Sequence, residues 1–133
     1  MRPVKIPGPD HPIDIERSSL RVTVKGGGRV VADSTHALIL REASYPEVLY
    51  VPRADVDMSK LARTSHTTYC PYKGECSYYS IVSGGDKSVN AVWCYENPYD
   101  AVAQIKDHLA FYPDRVDSIE TYEDRSDSAS SSA

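Results

Sequence analysis

The sequence lacks most features that would assign it to a well-marked class of protein. Its 133 residues include one Phe, one Trp and two Met, and the longest apolar runs, residues 37–40 and 48–51, are far too short to cross a bilayer. The first residues contain prolines and charges but no apolar stretch typical of a secretory signal. We therefore expect one domain without a membrane partner, in the cytoplasm by default.

The sequence also has no excess of positive charge. The formal net charge is −4, and residues 110–133 carry all of it, with six acids and two bases against 13 of each in the remainder. A neutral body lacks the basic field on which most non-specific nucleic-acid affinity depends. No nucleic-acid partner is expected.

Cysteine is too sparse for a disulfide framework. Three thiols are an odd number, and disulfides are rare in a reducing compartment. The chain contains no Cys-x-x-Cys pair, the spacing from which structural zinc sites usually draw their ligands. We expect neither a metal nor a cofactor.

Three segments differ in composition. Four prolines within residues 1–18 predict an extended arm that is neither strand nor helix. We predict that residues 19–122 form the folded β domain. Residues 123–133 are rich in Ser, Ala and Asp, and we expect a disordered tail there.

Alternation with a period of two dominates the folded region. Leu20, Val22 and Val24 alternate with polar residues, which predicts a strand with one wet face. Glycines at 26–28 predict a turn, and further strands are expected at 29–33, 36–42 and 48–51. Helical patterns occur only as a single turn at 55–61 and at 98–107, where Asp100 is the expected N-cap. The predicted fold is mainly β: a single domain of antiparallel sheets with one or two short helices.

A β-hairpin is the clearest supersecondary unit. Residues 77–82 and 89–95 are rich in β-formers and flank a glycine-containing turn at 84–87. If the turn is those four residues, Tyr78 faces Trp93 and Ser77 faces Cys94. Cys76 and Cys94 then point to opposite sides of the sheet, which argues against a bridge or a shared metal.

Several short motifs follow one another between residues 11 and 120. They are Arg29-Val30-Val31-Ala32-Asp33-Ser34, Tyr45-Pro46-x-Val48-x-Tyr50-x-Pro52, Thr68-x-Cys70-Pro71-Tyr72-Lys73-Gly74-Glu75, Ala91-Val92-Trp93-x-Tyr95 and His108-Leu109-Ala110-Phe111-Tyr112-Pro113. In these motifs the chain resembles the family called domain of unknown function 427. The resemblance implies a fold similar to the β-tent of methionine sulfoxide reductase B and the translationally controlled tumour protein.

The resemblance carries little functional information. It places Cys70 on a family cysteine position, whereas the family usually has a small residue at Cys76 and Ser or Thr at Cys94, so the zinc ligands of some β-tent proteins are not reproduced. The family is sometimes labelled a nucleotidyltransferase, a reaction that needs carboxylates to hold Mg²⁺. Asp55-Val56-Asp57 has no preceding Gly-Ser turn, and helix-capping acids are the favoured interpretation.

Residues 68–76 contain the densest set of reactive groups. Pro71 and Gly74 predict a stiff loop there, with Cys70 as a nucleophile and Lys73 as its activating cation. His108, or His66, is the candidate base. The plainer interpretations are a buried cysteine, a solvated lysine paired with Glu75, and a histidine bonded to backbone.

Ten tyrosines against a single Phe form the oddest feature of the composition. The hairpin register predicts that Tyr78, Trp93 and Tyr95 share one face, either as sheet core or as the wall of a cleft. Arg53 near a strand end is a candidate for fixing a ligand anion. The remaining candidate ligand-binding residues are Thr68, Tyr72 and Glu75.

Three functional hypotheses follow. The leading one is a domain that binds a small molecule, with an anion as one option, in a cleft beside residues 68–76, with or without enzymatic activity. The alternative is a protein-interaction module with an exposed tyrosine-rich face. A thiol-based redox enzyme is the third. The oligomeric state is open, with a homo-oligomer among the alternatives.

Overall fold

The computed structural model describes residues 2–123, which form ten strands in two antiparallel sheets. The strands are β1 (Ile13–Arg17), β2 (Arg21–Gly26), β3 (Arg29–Ser34), β4 (Leu38–Glu42), β5 (Val48–Pro52), β6 (Leu61–Cys70), β7 (Gly74–Ile81), β8 (Val92–Cys94), β9 (His108–Phe111) and β10 (Ser118–Tyr122). Short 3-10 turns lie at Arg53–Asp55, Met58–Lys60, Val82–Ser88, Asp100–Ile105 and Pro113–Arg115. The predicted mainly β class is confirmed.

The larger sheet has seven strands in the order β1-β4-β5-β9-β8-β7-β6, and the smaller has three in the order β10-β2-β3. The larger sheet joins an early group of strands, β1, β4 and β5, to a late group, β6 to β9. Within residues 2–123, two register pairs join the groups in the sheet, Val51 with Leu109 and Pro52 with His108. We call this junction of β5 and β9 the seam.

Residues of the seven-stranded sheet alternate between two differently covered faces. Val51, Ile81, Val92 and Leu109 face the three-stranded sheet and pack in one core with its buried valines and Ala32. We call this the sandwich face. The opposite, aromatic face carries Tyr50, Tyr78, Trp93 and Tyr95, and is covered in part by Val102 and Ile105 of the turn at Asp100–Ile105.

The predicted hairpin register is confirmed. Tyr78 pairs with Trp93 and Ser77 with Cys94, and Cys76 and Cys94 are buried in different cores, on opposite faces. The connection is longer than a four-residue turn, because Val82–Ser88 winds into 3-10 structure against the β2–β3 turn. Gly27 has φ +60, and a Cβ there would lie 2.2 Å from Ser83 Oγ, so the close approach requires glycine.

Three local predictions need correction. The arm at 1–18 is not free of strand, because β1 pairs with β4, placing Ile15 opposite Leu40; its alternating isoleucines pack on the aromatic-face core. Residues 68–76 are not one loop, since Thr68 pairs with Cys76 and only 71–73 turn the chain.

The pattern at 98–107 forms a 3-10 turn that Tyr99 precedes, so Asp100 is not its N-cap. The predicted tail at 123–133 lies outside the described residues except for Glu123. Within residues 2–123, none of the helical segments has the length and apolarity needed to traverse a lipid bilayer.

Candidate functional site

A cavity of about 810 Å³ opens where β5 and β9 diverge beyond the seam. Both strands and both sheets contribute to its walls. Leu49 of β5 and Phe111 of β9 flank the opening. The inner wall is formed by three residues of the three-stranded sheet, Val22, Val24 and Ile119. The aromatic face supplies Tyr50, Tyr78, Trp93 and Tyr95, and the outer rim is built from Tyr45, Pro46, Glu47, Tyr112 and Pro113. Most of this lining is apolar or aromatic, which is typical of small-molecule sites.

Lys73 lies at the polar end of the cavity. The turn 71–73 ends at Gly74, whose φ of +110 lies in a region that side chains rarely adopt. Backbone hydrogen bonds from Lys73 N to Cys70 O (3.2 Å) and from Tyr99 N to Lys73 O (3.1 Å) fix the turn on both sides. The residue is only 8 % exposed, and its Nζ lies 6.0 Å from the centroid of the Tyr95 ring.

A chain of hydrogen bonds runs from Lys73 towards the surface. Lys73 Nζ donates to Glu42 Oε1, and Glu42 Oε2 lies 2.7 Å from His11 Nε2, which donates to it. The side chain of Glu42 is 12 % exposed and that of His11 is 23 % exposed. The His11 ring stacks on Tyr72 with centroids 4.0 Å apart and planes 4° from parallel. Three ionisable groups therefore connect the cavity with solvent.

The protonation states of the site follow from burial and hydrogen bonding. Burial alone would raise the pKa of Glu42, but hydrogen bonds from Lys73 and His11 outweigh it and hold that pKa below its ordinary value. Burial raises the pKa of Tyr50, Tyr78 and Tyr95. The site therefore presents a carboxylate beside phenols that stay protonated at neutral pH.

Four of the predicted site residues line the cavity: Lys73, Tyr78, Trp93 and Tyr95. Trp93 Nε1 donates to Tyr50 Oη at 3.2 Å, and its ring lies 4.5 Å from that of Tyr112. The structure thus brings the hairpin aromatics and the lysine together around one space.

Other predicted residues surround this space without lining it. Thr68 Oγ1 lies 2.9 Å from Tyr78 Oη, and Tyr72 stacks on His11 as described. Cys70 is half-buried and packs against the aromatic-face core. These three support residues that line the cavity or belong to the polar chain.

The remaining predicted residues lie elsewhere. Arg53 Nη2 donates to Tyr79 Oη at 3.3 Å on the sandwich face. Glu75 pairs with Arg2 at 2.8 Å rather than with Lys73. His108 Nδ1 lies 2.8 Å from the carbonyl oxygen of Lys106, as the plainer interpretation expected.

The other two thiols are poor nucleophiles. Burial raises the pKa of Cys76, and raises that of Cys94 to about 11. A thiolate, not a thiol, is the reactive form of cysteine. Only Cys70 stays a candidate for thiol chemistry.

Sequence reasoning missed Glu42, His11, Tyr50 and Tyr45. No local pattern joins Glu42, the last residue of a predicted strand, to His11 or to Lys73, because each of these two contacts bridges 31 residues. A usable signal existed for both tyrosines, which belong to the motif Tyr45-Pro46-x-Val48-x-Tyr50.

The acids at 55 and 57 have local roles. Asp57 caps the turn Met58–Lys60 by accepting from Ser59 N, which agrees with the capping interpretation. Asp55 Oδ2 instead accepts from Ser34 Oγ at 2.6 Å. Within residues 2–123 no three His, Cys, Asp or Glu side chains are grouped as a metal site would require.

Comparison with known proteins gives a family but no activity. No curated protein matches the chain. A family model described as a domain of unknown function, DUF427, matches residues 14–122. That range includes all ten strands except the first residue of β1. The match covers most of the sequence, and the chain therefore belongs to the DUF427 family.

Proposed function

We propose that the protein binds a small, largely apolar molecule with one polar group in the cavity between β5 and β9. The observation that carries the proposal is a buried lysine–carboxylate pair at one end of an otherwise aromatic and aliphatic cavity. The apolar body of the ligand would lie against Trp93, Tyr78 and the valines, and its polar group would meet Lys73 and Glu42.

The size and lining of the cavity support this proposal. A volume of about 810 Å³ falls within the range of roughly 300–1,000 Å³ typical of ligand pockets. Aromatic walls with a few convergent polar groups give both affinity and orientation.

The charges favour a neutral ligand over an anion. Lys73 is neutralised by Glu42, and Glu47 at the rim adds a second carboxylate, which Arg41 pairs at 2.5 Å. An anion would have to displace Glu42 from Lys73 and leave a buried carboxylate unpaired, which is costly. Arg53, the other cation considered for an anion, lies on the sandwich face.

Trp93 provides a direct assay, because it is the single tryptophan and lines the cavity. We expect neutral aromatic and aliphatic compounds to change its fluorescence saturably and to raise the melting temperature by mass action. Val48→Phe should fill part of the cavity and abolish both effects, whereas Val82→Phe, on an exposed residue outside the lining, should leave them unchanged. Equal binding by wild type and Val48→Phe would contradict the proposal.

The other hypotheses receive less support. Tyr50, Tyr78, Tyr79 and Tyr95 are buried, which removes them from any exposed tyrosine-rich face. Thiol redox chemistry would rest on Cys70 alone, since burial keeps the other two thiols protonated. Binding of a small molecule is the hypothesis that accounts for both the cavity lining and the Lys73–Glu42–His11 chain.

A further inference from the structure

We propose that Lys73 forms an imine with apolar aldehydes or ketones held in the cavity, with Glu42 as its acid–base partner. This inference rests on the proposed function and names its substrate class. It gives the enclosed amine and the polar chain to His11 a chemical role that ligand binding alone does not require.

The position of the amine is the first step. Lys73 is 8 % exposed and lies between Glu42 and the face of Tyr95, while Lys5, Lys25, Lys87 and Lys106 are exposed. A primary amine in a pocket largely sheltered from water is placed to capture a carbonyl carbon. Exclusion of water also protects an imine from hydrolysis.

Glu42 supplies the proton transfers. The Lys73 ammonium gives one proton to Glu42 Oε1, and Glu42 later passes this proton to the carbonyl oxygen. The neutral amine then attacks the carbonyl carbon, and a C–N bond forms while the carbonyl C=O becomes a C–OH.

Loss of that hydroxyl completes the reaction. The carbonyl oxygen leaves as water with the two protons that the nitrogen gives up, and Glu42 carries those protons from nitrogen to oxygen. The Lys73 ammonium and the carbonyl compound therefore yield a protonated imine, paired with the Glu42 carboxylate, and water, with no oxidant, reductant or metal in the balance. His11 is a positioning residue, since it holds Glu42 Oε2 and leaves Oε1 directed at Lys73.

The substrate class follows from the lining. An anionic carbonyl compound would have to displace Glu42 from Lys73. Trp93, Tyr78 and Phe111 suit an aromatic or aliphatic tail. An apolar aldehyde or ketone fits both conditions.

Borohydride trapping tests the proposal with a matched pair of probes. The protein is incubated with 3-phenylpropanal and sodium cyanoborohydride, which reduces imines in preference to the free aldehyde, and the reduced, alkylated lysines are located by peptide mass spectrometry. We expect Lys73 to be labelled about tenfold faster than any other lysine, as activation of a nucleophile predicts. Labelling spread evenly over the lysines would overturn the proposal.

The corresponding alcohol, 3-phenylpropan-1-ol, separates the two levels of the hypothesis. It has the same tail but cannot form an imine, and Trp93 fluorescence measures its binding. Binding of the alcohol without preferential labelling of Lys73 overturns the imine and leaves the proposed function standing. Absence of both binding and labelling overturns both.

Two variants complete the test. Lys73→Arg keeps a cation beside Glu42 but should lose the adduct at position 73. Glu42→Gln should slow labelling of Lys73 about tenfold. Unchanged labelling in Glu42→Gln would remove Glu42 from the reaction, and with it the proposed mechanism.

Discussion

The two faces of the seven-stranded sheet are built from adjacent residues but lie in different surroundings. The sandwich face is mostly aliphatic and packs against a second sheet. The aromatic face carries tyrosines and a tryptophan, is covered only in part, and meets the Lys73–Glu42–His11 chain at its edge. Because side chains alternate along a strand, Tyr50 and Val51, or Tyr78 and Tyr79, divide the two environments between neighbours.

This division shows how a small domain can keep an aliphatic core apart from a polar and partly accessible face. Apolar burial on the sandwich face stabilises the fold without any need for access from solvent. The aromatic face can then keep polar groups and unfilled volume that would weaken a closed core.

The sharpest test of this division compares one truncation on each face of the seven-stranded sheet. Leu109→Ala removes a fully buried side chain from the sandwich face and should lower the free energy of unfolding by about 2–5 kcal/mol. Val48→Ala, at a half-buried position lining the cavity, should cost about 1 kcal/mol. Urea denaturation measures both, and equal losses would mean that the cavity wall is as tightly packed as the core.

A smaller effect is expected from the polar chain. Glu42→Leu leaves Lys73 buried without its carboxylate and should cost about 1.5–3 kcal/mol. Adding Lys73→Met removes the unpaired charge, so the double variant should be more stable than Glu42→Leu alone. A double variant at least as unstable as the single one would show that the ion pair itself contributes stability.

The next smaller loss of stability is expected from a substitution in the turn that carries Lys73. Gly74→Ala forces a side chain into a backbone with φ +110 and should cost about 1–2 kcal/mol. It should also weaken ligand binding, because the turn carries Lys73. Gly28→Ala is the matched control: its φ is +77, an added Cβ would meet open space, and the residue does not line the cavity, so it should lose stability without losing ligand affinity.

The smallest expected effect is a change in acid sensitivity. Folding lowers the pKa of Glu42 from its ordinary value of 4.5, so the unfolded chain takes up this proton at higher pH than the folded protein. The stabilisation is therefore complete above about pH 4.5 and is lost as the pH falls through the folded pKa.

Glu42→Gln cannot titrate at this position. The difference in unfolding free energy between wild type and Glu42→Gln should thus shrink as the pH falls, in urea titrations from about pH 7 to pH 3. A difference that stays constant over this range would mean that Glu42 is not held ionised by its partners.

Much of the fold could be predicted from local patterns. The strands β2 to β5 follow from alternation and from the glycines between them, and the pairing of Tyr78 with Trp93 follows from a single hairpin. Strands β6 and β10 escaped prediction because their residues are mostly polar or exposed. An edge strand with few buried residues carries little periodic signal.

The site was only half predictable for a related reason. Lys73 and the hairpin aromatics lie within one continuous stretch of 23 residues, 73–95, so local spacing brings them together. Glu42 and His11 join them through contacts across 31 residues. Such contacts depend on how β1 and β4 are placed beside the 71–73 turn, which no short motif encodes.

The narrow seam between β5 and β9 has a consequence for how the protein folds. The pairings within each strand group join residues fewer than thirty positions apart, but joining Val51 to Leu109 must close a loop of more than fifty residues. Contacts of this kind form slowly, so we expect the seam to form late, together with the pairing of β2 with β10 that joins Lys25 to Ser118. The cavity, which opens at that junction, would then be absent from every intermediate that precedes the seam, and recovery of ligand-dependent Trp93 fluorescence during refolding would time the closing of the seam.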